Sequence, residues 1–306
     1  MQNLSLRHLY MLFVLALVWG SSFILMKKAL IYFGPGQLAS LRILMAGVAL
    51  LPVAISQIRK INLKRNEILA IGLVGLLGNT FPAFLFATAQ TKVPSAISGV
   101  LNSMVPIFTL IIGVVFFRQH LKMTQGLYIV LGFAGAFILV YGRTSGNLAT
   151  EFDTRYTLLI IVATLCYATS TNLIHKYLQP IRSLVITSFA FVSMLLPMLV
   201  VNYFAGTYSV LANDFYRVYP GLLYIAILAL VGTVAAVILF NVLIKETNAV
   251  VASTVTYLIP MVALMWGLWD GEQFNYWQLS GFAAIVLAVF MMNRKKISKR
   301  ELTQKT

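Results

Sequence analysis

The sequence predicts an all-α polytopic membrane protein with ten transmembrane helices, arranged as two inverted five-helix repeats. Three observations lead to this fold class. The chain of 306 residues is 60% hydrophobic and only 10% charged, with a mean hydropathy of +0.88, whereas soluble domains carry about 25% charged residues. Apolar stretches near the ~20 residues needed to cross a bilayer recur along the chain. The second half also reads as a distant copy of the first.

The apolar stretches give the predicted elements in order. The first 26 residues have the basic-then-apolar pattern of a signal peptide, but no small-x-small cleavage site follows, so we expect a membrane helix there. With ten spans in 306 residues, little sequence is left for a soluble domain. The predicted spans are residues 9–26, 37–58, 68–90, 95–117, 124–142, 156–177, 184–204, 219–244, 250–269 and 276–293.

The internal repeat is visible when the two halves are aligned at constant offsets. Its evidence is that glycine, proline and hydroxyl positions coincide while the apolar segments keep their order. Duplicated membrane units of this kind are typical of transporters, whose substrate sites lie between the repeats. The matched positions are Gly78 with Gly232, Phe86 with Phe240, Pro106 with Pro260, Leu110 with Leu264 and Gly113 with Gly267 at an offset of 154, and residues 19–22 with 167–170 and Lys28 with Lys176 at an offset of 148.

Each predicted repeat contains an odd number of spans, which fixes the relative orientation of the halves. If the first half starts in the cytoplasm, the second starts on the other face, so a pseudo-two-fold axis in the membrane plane relates them. Two inverted units around a central site can open to either side, which is a physical route to alternating access. The predicted organisation is a first repeat over residues 1–143, a linker loop over 144–155, a second repeat over 156–293 and a basic cytoplasmic tail over 294–306.

The net charge of +15 is explained by membrane topology. With the amino terminus placed in the cytoplasm, 16 of the 23 lysines and arginines fall on the cytoplasmic side and 6 on the other. This bias fits the positive-inside rule with both termini cytoplasmic. Because the basic residues are scattered over short loops rather than gathered on one face, we expect no nucleic-acid partner. The single cysteine, Cys166, excludes an intrachain disulfide.

Several short motifs make the chain resemble the drug/metabolite transporter superfamily, specifically its EamA-like branch, over nearly the whole length. The opening span contains Trp19-Gly20-Ser21-Ser22, and Arg42 follows early in the second span. Pro106 and Pro260 occupy the fourth and ninth spans. The resemblance implies export or import of small metabolites such as amino acids.

The same resemblance extends to the end of the fourth span of each repeat. Gly271-Glu272-Gln273, followed by Gly281, is similar to the Gly-Glu element of the family at this place. The first half departs from the pattern, because it reads Phe117-Arg118-Gln119 and has Arg118 where a glutamate is expected. A role for that acidic position is therefore carried over to Glu272 alone.

The fourth span contains the clearest polar stripe. Ser95, Ser98, Asn102, Pro106, Thr109 and Gly113 are spaced as one face of an α-helix. Small and hydroxyl residues on one face often serve close helix packing in lipid. The amide of Asn102 needs partners wherever it lies in hydrocarbon, and each proline frees a carbonyl one turn earlier. We expect the cavity-facing residues of the fourth and ninth spans to be Ser98, Asn102, Pro106, Thr256, Tyr257 and Pro260.

Further candidates for substrate contact lie on three other spans. Trp19 lies ten positions into the first span, near mid-depth, where its indole N–H needs a partner. An interfacial position for this ring is the alternative. Aromatic and amide groups together suit a zwitterionic or aromatic solute, among other small amphiphiles. The candidates are Trp19 and Ser22 on the first span, Asn79 on the third and Tyr167 on the sixth.

Arg42 is the basic residue that we place within a span, about six residues from its outer end. A charge at mid-membrane costs ~2.5–3.5 kcal/mol on insertion scales and normally faces the protein interior or snorkels. An interior Arg42 would attract anionic groups or pair with Glu272 or Asp270. Snorkelling, or capping of a neighbouring helix, is the alternative.

All eight carboxylates map to loops or to the ends of spans. Proton-driven carriers commonly use a carboxylate or histidine within the membrane as a relay. His175 is the remaining candidate, and a satisfied interfacial histidine is the simpler interpretation. We therefore expect either facilitated flow down the solute gradient or coupling without a buried acid.

The interpretation that follows is a secondary transporter in the cytoplasmic membrane for a small organic metabolite, an amino acid or similar compound, with export favoured and no cofactor or metal. A central polar pocket lined by the first, third, fourth, sixth, eighth and ninth spans would support it. A lipid or lipid-linked sugar flippase is the alternative, and it needs a slot open to the bilayer. Enzyme motifs such as G-x-S-x-G, H-x-x-x-H and the P-loop pattern are absent. A non-transporting scaffold and a homo-oligomer remain open.

Overall fold

The computed structural model describes residues 6–58, 61–117, 123–141, 153–246 and 255–293. Within these ranges the regular structure is helical and contains no strand. Among the described residues, seven helices are long and apolar enough to cross a membrane, and three shorter apolar helices cover Gly126–Val140, Leu258–Trp269 and Tyr276–Met291. These features are those of a polytopic membrane protein.

The main helices follow the predicted spans in order, with ends that differ by a few residues. A short additional helix, Thr207–Asn213, lies between the seventh and eighth. We number the main helices α1 (Leu6–Ala29), α2 (Pro35–Ile58), α3 (Arg65–Ala89), α4 (Ser95–Phe117), α5 (Met123–Tyr141), α6 (Thr157–Tyr177), α7 (Ser183–Phe204), α8 (residues 215–246), α9 (Val255–Trp269) and α10 (Tyr276–Asn293).

Two helices are broken just ahead of a proline. Helix α4 stops at Asn102 and resumes at Val105, with Pro106 in its new first turn. Helix α7 stops at Val192 and resumes at Leu195, two residues before Pro197. Proline lacks the N–H that would bond to the preceding turn, and its ring crowds that turn, so a break there is expected.

Helix α5 packs antiparallel against α10. A Cβ added to Gly135 would lie 2.8 Å from the carbonyl oxygen of Gly281, and one added to Gly281 would lie 2.6 Å from the carbonyl oxygen of Gly135. Gly132 lies next to Ala288, and Leu139 lies next to Gly281. Because the contact positions rise along one helix as they fall along the other, the two helices run in opposite directions.

The helix contacts repeat between the two halves of the chain. If α1 to α5 are paired in order with α6 to α10, several contacts between two helices have a counterpart between their two partners. Helix α1 packs on α9, and α6 packs on α4. Helix α3 packs on α6 and on α7, while α8 packs on α1 and on α2. The two sets of five helices therefore make matching contacts. Large apolar side chains, among them Phe116, Phe204 and Trp269, stay exposed on the outside of this assembly.

Candidate functional site

A cavity of about 480 Å³ lies between the two sets of helices. Helices α1 to α4 and α6 to α9 all contribute to its wall. The sequence predicted six of these eight helices as the lining of the pocket. It did not predict the contribution of α7, and it considered α2 only through Arg42. Ser183, Ile186, Thr187 and Phe191 of α7 were missed because the few polar residues of this apolar segment, with a mean hydropathy of 2.4, did not indicate which face of the helix meets the cavity.

Most of the predicted site residues lie on the cavity wall. They are Trp19, Ser22, Arg42, Asn79, Asn102, Pro106, Tyr167 and Thr256. Three others lie elsewhere. Ser98 is fully buried and donates to the carbonyl of Pro94 at 3.1 Å, so it serves the first turn of α4. Pro260 is buried inside α9, away from the cavity. Glu272 lies in the loop after α9, and the side chain of Tyr257 is outside the described residues.

The indole nitrogen of Trp19 on α1 forms a hydrogen bond with α8. Its Nε1 donates a hydrogen bond of 3.0 Å to the carbonyl of Gly232, and its ring lies 5.3 Å from that of Phe240. The indole N–H therefore has the partner that its depth requires. This contact joins a helix of the first five to one of the second five at the cavity wall.

The carbonyl that Trp19 uses belongs to a π-helical turn, Leu230–Ala235 of α8. A second π-helical turn, Leu76–Thr80, lies in α3 at the equivalent place. A π-helical turn shifts the backbone pairing by one residue, and such turns are frequent at functional sites. Asn79 and Thr233 reach back five residues, to the carbonyls of Val74 and Leu228, at 3.3 and 3.1 Å. The turns thus present two polar side chains to the cavity.

Equivalent residues make equivalent contacts on the two sides of the cavity. A Cβ on Gly78 would lie 2.4 Å from Ser170 Oγ, and a Cβ on Gly232 would lie 3.3 Å from Ser22 Oγ. The sequence offsets of 154 and 148 relate Gly78 to Gly232 and Ser22 to Ser170. Thr233, which sequence reasoning missed, is the counterpart of Asn79 by the same offset of 154. The repeat alignment is the signal that identifies it.

Arg42 contributes a charge to the cavity wall. It lies deep in the molecule, yet its side chain is partly accessible because it faces the cavity. Its Nη2 lies 3.5 Å from Thr233 Oγ1, the outer limit of a hydrogen bond. The sequence suggested that Arg42 pairs with Glu272 or Asp270. This pairing does not occur, because both carboxylates bind Lys27.

Beyond one end of the cavity, Lys27, Lys28, Asp270 and Glu272 form a lysine–carboxylate cluster. Lys27 Nζ lies 2.7 Å from Asp270 Oδ2 and 2.8 Å from Glu272 Oε1. Lys28 also binds Asp270. The cluster joins the end of α1 to the loop that follows α9. We call this side of the molecule the cluster end.

Glu272 also caps the start of α4. Its Oε1 accepts hydrogen bonds from the backbone N–H and the hydroxyl of Ser95 at 2.9 and 2.8 Å, and its Oε2 accepts from the N–H of Ala96 at 3.1 Å. A carboxylate at a helix N-terminus satisfies free donors and complements the helix dipole. Glu272 is only 5% exposed. Glu272 lies in a loop at the end of a span, as the sequence predicted, but its carboxylate is buried because the loop after α9 folds back over α4.

The cluster also holds Asp270 in its ionised form. Partial burial raises the pKa of this carboxyl, but hydrogen bonds from Lys27 and Lys28 outweigh the burial and leave the pKa below its usual value. The ion pairs therefore persist at any pH at which a free aspartate is ionised.

The cavity wall is buried toward the cluster end and includes an exposed residue at the other end. Buried Phe23, Met26 and Phe86 form its wall next to the cluster. At the opposite side the wall includes Ser183, an exposed residue at the start of α7. We call this second side the open end. It is the side on which α6 ends and α7 begins.

The described residues offer little for metal or redox chemistry. Within them no group of three histidine, cysteine, aspartate or glutamate side chains is placed to hold a metal ion. Cys166 is a free thiol on α6. The described wall of the cavity carries aromatic rings, amides, hydroxyls and the guanidinium of Arg42.

Comparison with known proteins connects this architecture to transport. The model of the EamA-like transporter family matches residues 6–141 and 154–294. The uncharacterized inner membrane transporter YedA of Escherichia coli K12 is 26% identical, over 93% of this chain and 90% of its own. The uncharacterized transporter YyaM of Bacillus subtilis is 24% identical, over 91% of each chain. Both are named as transporters and not as enzymes.

A plant protein and a solved structure are also similar to this chain. The chloroplastic WAT1-related protein At3g02690 of Arabidopsis thaliana is 26% identical, over 90% of this chain and 66% of its own. A crystal structure of a protein matches with a TM-score of 0.60 and 14% identity, over 97% of this chain and 98% of that one. At that identity the match shows the shared fold.

Proposed function

The chain belongs to the EamA-like transporter family, and from this premise we propose that it is a secondary transporter that exports a small organic metabolite, an amino acid or similar compound, across the cytoplasmic membrane. The observation that carries the proposal is the cavity of about 480 Å³ between two sets of five helices, with buried side chains toward the cluster end and an exposed residue at the open end. Such a chamber suits alternating access, in which a solute site faces one side of the membrane at a time.

We further propose that ten membrane helices form two inverted repeats, over residues 1–143 and 156–293, joined by the linker 144–155. The antiparallel packing of α5 on α10 supports this arrangement, because these two helices hold the same place in each half. The contacts of Gly78 with Ser170 and of Gly232 with Ser22 support it at the cavity. Inverted repeats make the two ends of the cavity structurally equivalent, so either end can close.

In the proposed orientation both chain termini are cytoplasmic, so the cluster end faces outward and the open end faces the cytoplasm. The excess of lysine and arginine on the cytoplasmic side supports this choice. Helix α1 begins at the open end and reaches the cluster with Lys27. A cavity open to the cytoplasm fits loading of an exported solute.

Impermeant maleimide labelling of intact cells tests the orientation. The background is Cys166→Ser, which removes the single native cysteine. Tyr216→Cys and Leu6→Cys place thiols at positions that are 95% and 86% exposed, at the cluster and open ends. We expect labelling of Tyr216→Cys alone, with Leu6→Cys labelled only after the cells are opened. Labelling of both in intact cells, or of Leu6→Cys alone, contradicts the orientation and the inversion.

A flux assay tests the transport function. Purified protein in liposomes is loaded with an unlabelled amino-acid mixture, and uptake of the ¹⁴C-labelled mixture is followed as counterflow. Trp19→Ala and Asn102→Ala should reduce counterflow at normal expression, because both residues line the cavity. Trp277→Ala and Asn213→Ala are matched controls, since both residues are exposed and lie off the cavity. Unchanged counterflow in both cavity variants places the solute path elsewhere.

A lipid or lipid-linked sugar flippase remains the second candidate within transport. It requires a groove that opens sideways to the bilayer, so that the acyl chains stay in lipid while the head group crosses. The cavity draws its wall from eight helices of both halves, which favours a water-soluble solute. Movement of fluorescent phospholipid between leaflets of the same liposomes, with no amino-acid counterflow, would support the flippase.

A further inference from the structure

Arg42 is a charged group inside the cavity. It lies seven residues after the start of α2, which places its Cα about 10 Å along the helix axis from the cluster end. Its surroundings are deeply buried while the guanidinium faces the chamber. Its one hydrogen bond within the described chain, to Thr233, is 3.5 Å long. A planar group with five N–H donors is therefore mostly available to a solute.

The protein supplies no nearby negative charge to Arg42 within the described residues. The described part of the cavity wall contains no aspartate or glutamate. Asp270 and Glu272 are bound to lysines at the cluster end. Glu246 pairs with Arg7, and Asp153 pairs with Arg155. A buried cation without a counter-ion is costly, so a solute anion that enters the cavity gains from pairing with it.

Aromatic rings line the same cavity as this charge. Tyr167 and Arg42 both contribute to its wall. The ring of Phe86 lies 6.1 Å from that of Tyr167 and 5.8 Å from that of Phe23. Three neighbouring rings thus line the cavity that the guanidinium faces. Such a wall suits an apolar body attached to the anionic group.

We propose that Arg42 binds the carboxylate of the transported solute, and that this solute is an organic acid with an apolar body. The inference rests on the proposed function and narrows its substrate class. Guanidinium binds carboxylate through two parallel hydrogen bonds, which a lysine or an amide cannot reproduce. The described wall contains no carboxylate to receive an ammonium, so the solute needs no amino group.

Ligand binding to the full-length protein in detergent, measured by thermal shift, tests the proposed carboxylate subsite at Arg42 without requiring transport. The probes are phenylacetate, phenylacetamide, phenethylamine and phenylalanine, which share a phenyl body and differ in charge. We expect phenylacetate to bind at least as tightly as phenylalanine. Phenylacetamide and phenethylamine should bind with an affinity at least about tenfold lower than that of phenylacetate. Equal binding of the amide or the amine, binding of phenylalanine alone, or no binding of either carboxylate overturns the inference.

Substitution of the arginine supplies the second arm. Arg42→Gln should weaken phenylacetate binding about tenfold or more, and Arg42→Lys should restore only part of it. Arg182→Gln is the matched control, because this exposed arginine bonds Gln57 outside the cavity. Unchanged binding in Arg42→Gln overturns the inference. If neither Arg42 variant folds, the comparison of acid with amide on the wild type decides.

The two proposals fail in different ways. Selective binding of phenylacetate through Arg42, with no counterflow in liposomes, would remove the transport function and keep the anion subsite. Counterflow that persists for cationic and neutral solutes, with no preference for acids, would remove the subsite and keep the transport function.

Discussion

Gly135 and Gly281 lie against each other's backbone where α5 crosses α10. A Cβ on Gly135 would meet the carbonyl oxygen of Gly281 and the amide nitrogen of Ile285, while one on Gly281 would meet the carbonyl oxygen of Gly135 and the amide nitrogen of Leu139. The two sets of contacts are reciprocal, since Leu139 and Ile285 lie four residues after each glycine. Two antiparallel helices that meet at such a pair have a local two-fold axis between them.

The reciprocal contact predicts that a single methyl group at Gly281 destabilises the protein. In Gly281→Ala the new Cβ would lie 2.5 Å from a backbone nitrogen and 2.6 Å from a backbone oxygen, so the helices must separate. Overpacking of this kind costs about 1–3 kcal/mol. Gly126→Ala in α5 is the control, because no atom of the described residues lies within 4 Å of its added Cβ. The thermal midpoint in detergent should fall for Gly281→Ala alone, and an equal fall in both would contradict the contact.

The cluster end should open when Glu272 loses its charge. Glu272→Gln keeps an acceptor for the start of α4 but removes the ion pair with Lys27. In a Cys166→Ser background, Ser103→Cys places a thiol on the cavity wall. We expect an impermeant thiol reagent added to intact cells to modify that thiol several-fold faster when Glu272→Gln is present. Accessibility that stays at the wild-type level would show that the cluster does not close this end.

A matched control for that experiment is Glu67→Gln. Glu67 also accepts a backbone N–H at the start of a helix, from Lys64 at 2.7 Å, but at α3 rather than at the cluster. The Glu67→Gln substitution removes one carboxylate and leaves the ion pairs of Lys27 and Lys28 in place. An increase in labelling in this variant would indicate general loosening instead of opening.

The sequence predicted the order of the helices and six of the eight helices that line the cavity, because apolar length and polar spacing depend directly on burial in a membrane. Trp19, Arg42 and Asn102 were found in this way. The π-helical turns at Gly78 and Gly232 were not predicted, because a shift of one residue in backbone pairing leaves no mark on a short apolar pattern. The burial of residue 272 was missed as well, since it depends on how a loop folds over a distant helix.

The contribution of Asp270 to stability should be independent of pH across the physiological range. Its pKa in the folded protein is depressed by Lys27 and Lys28 despite partial burial. A depressed pKa contributes stability that is fully present above the unfolded value of about 3.9 and is lost as the pH falls through the folded value. The difference in thermal midpoint between wild type and Asp270→Asn should therefore stay constant from about pH 5 to 8 and shrink in stronger acid. A difference that varies between pH 5 and 8 would contradict this assignment.

The contact between Gly78 and Ser170 should behave as a coupled pair. The Cβ in Gly78→Ala would lie 2.4 Å from Ser170 Oγ and 3.2 Å from Ser170 Cβ. Removing the hydroxyl in Gly78→Ala/Ser170→Ala leaves the longer contact, so part of the lost stability should return. Gly232→Ala provides the comparison, because its Cβ would lie 3.3 Å from Ser22 Oγ and should cost less. Strictly additive losses in the double variant would rule out this contact.

The two ends of the cavity differ in charge, and this difference predicts how the conformational balance can be shifted. By the repeat offsets, Arg118 corresponds to Glu272, and Lys176 corresponds to Lys28. Lys176 lies 5.2 Å from the ring centre of Phe117, the residue before Arg118, so α6 and α4 approach each other at the open end. Arg118 lies outside the described residues, so the repeat alignment alone assigns its charge to this end. On that alignment we expect Arg118 and Lys176 to repel each other, whereas opposite charges hold the cluster end together. Arg118→Glu should therefore give Lys176 a partner and favour closure of the open end.

The readout for Arg118→Glu is again the thiol of Ser103→Cys in a Cys166→Ser background. In the proposed orientation and alternating-access mechanism, closure of the cytoplasmic side favours opening of the outward side, so labelling from outside the cell should rise and labelling in inverted vesicles should fall. Arg118→Gln is the matched control, because it removes repulsion without supplying a partner and should produce a smaller shift. Lys176→Gln added to Arg118→Glu should cancel most of the effect. Equal labelling in all of these variants would mean that charge at the open end does not set the resting conformation.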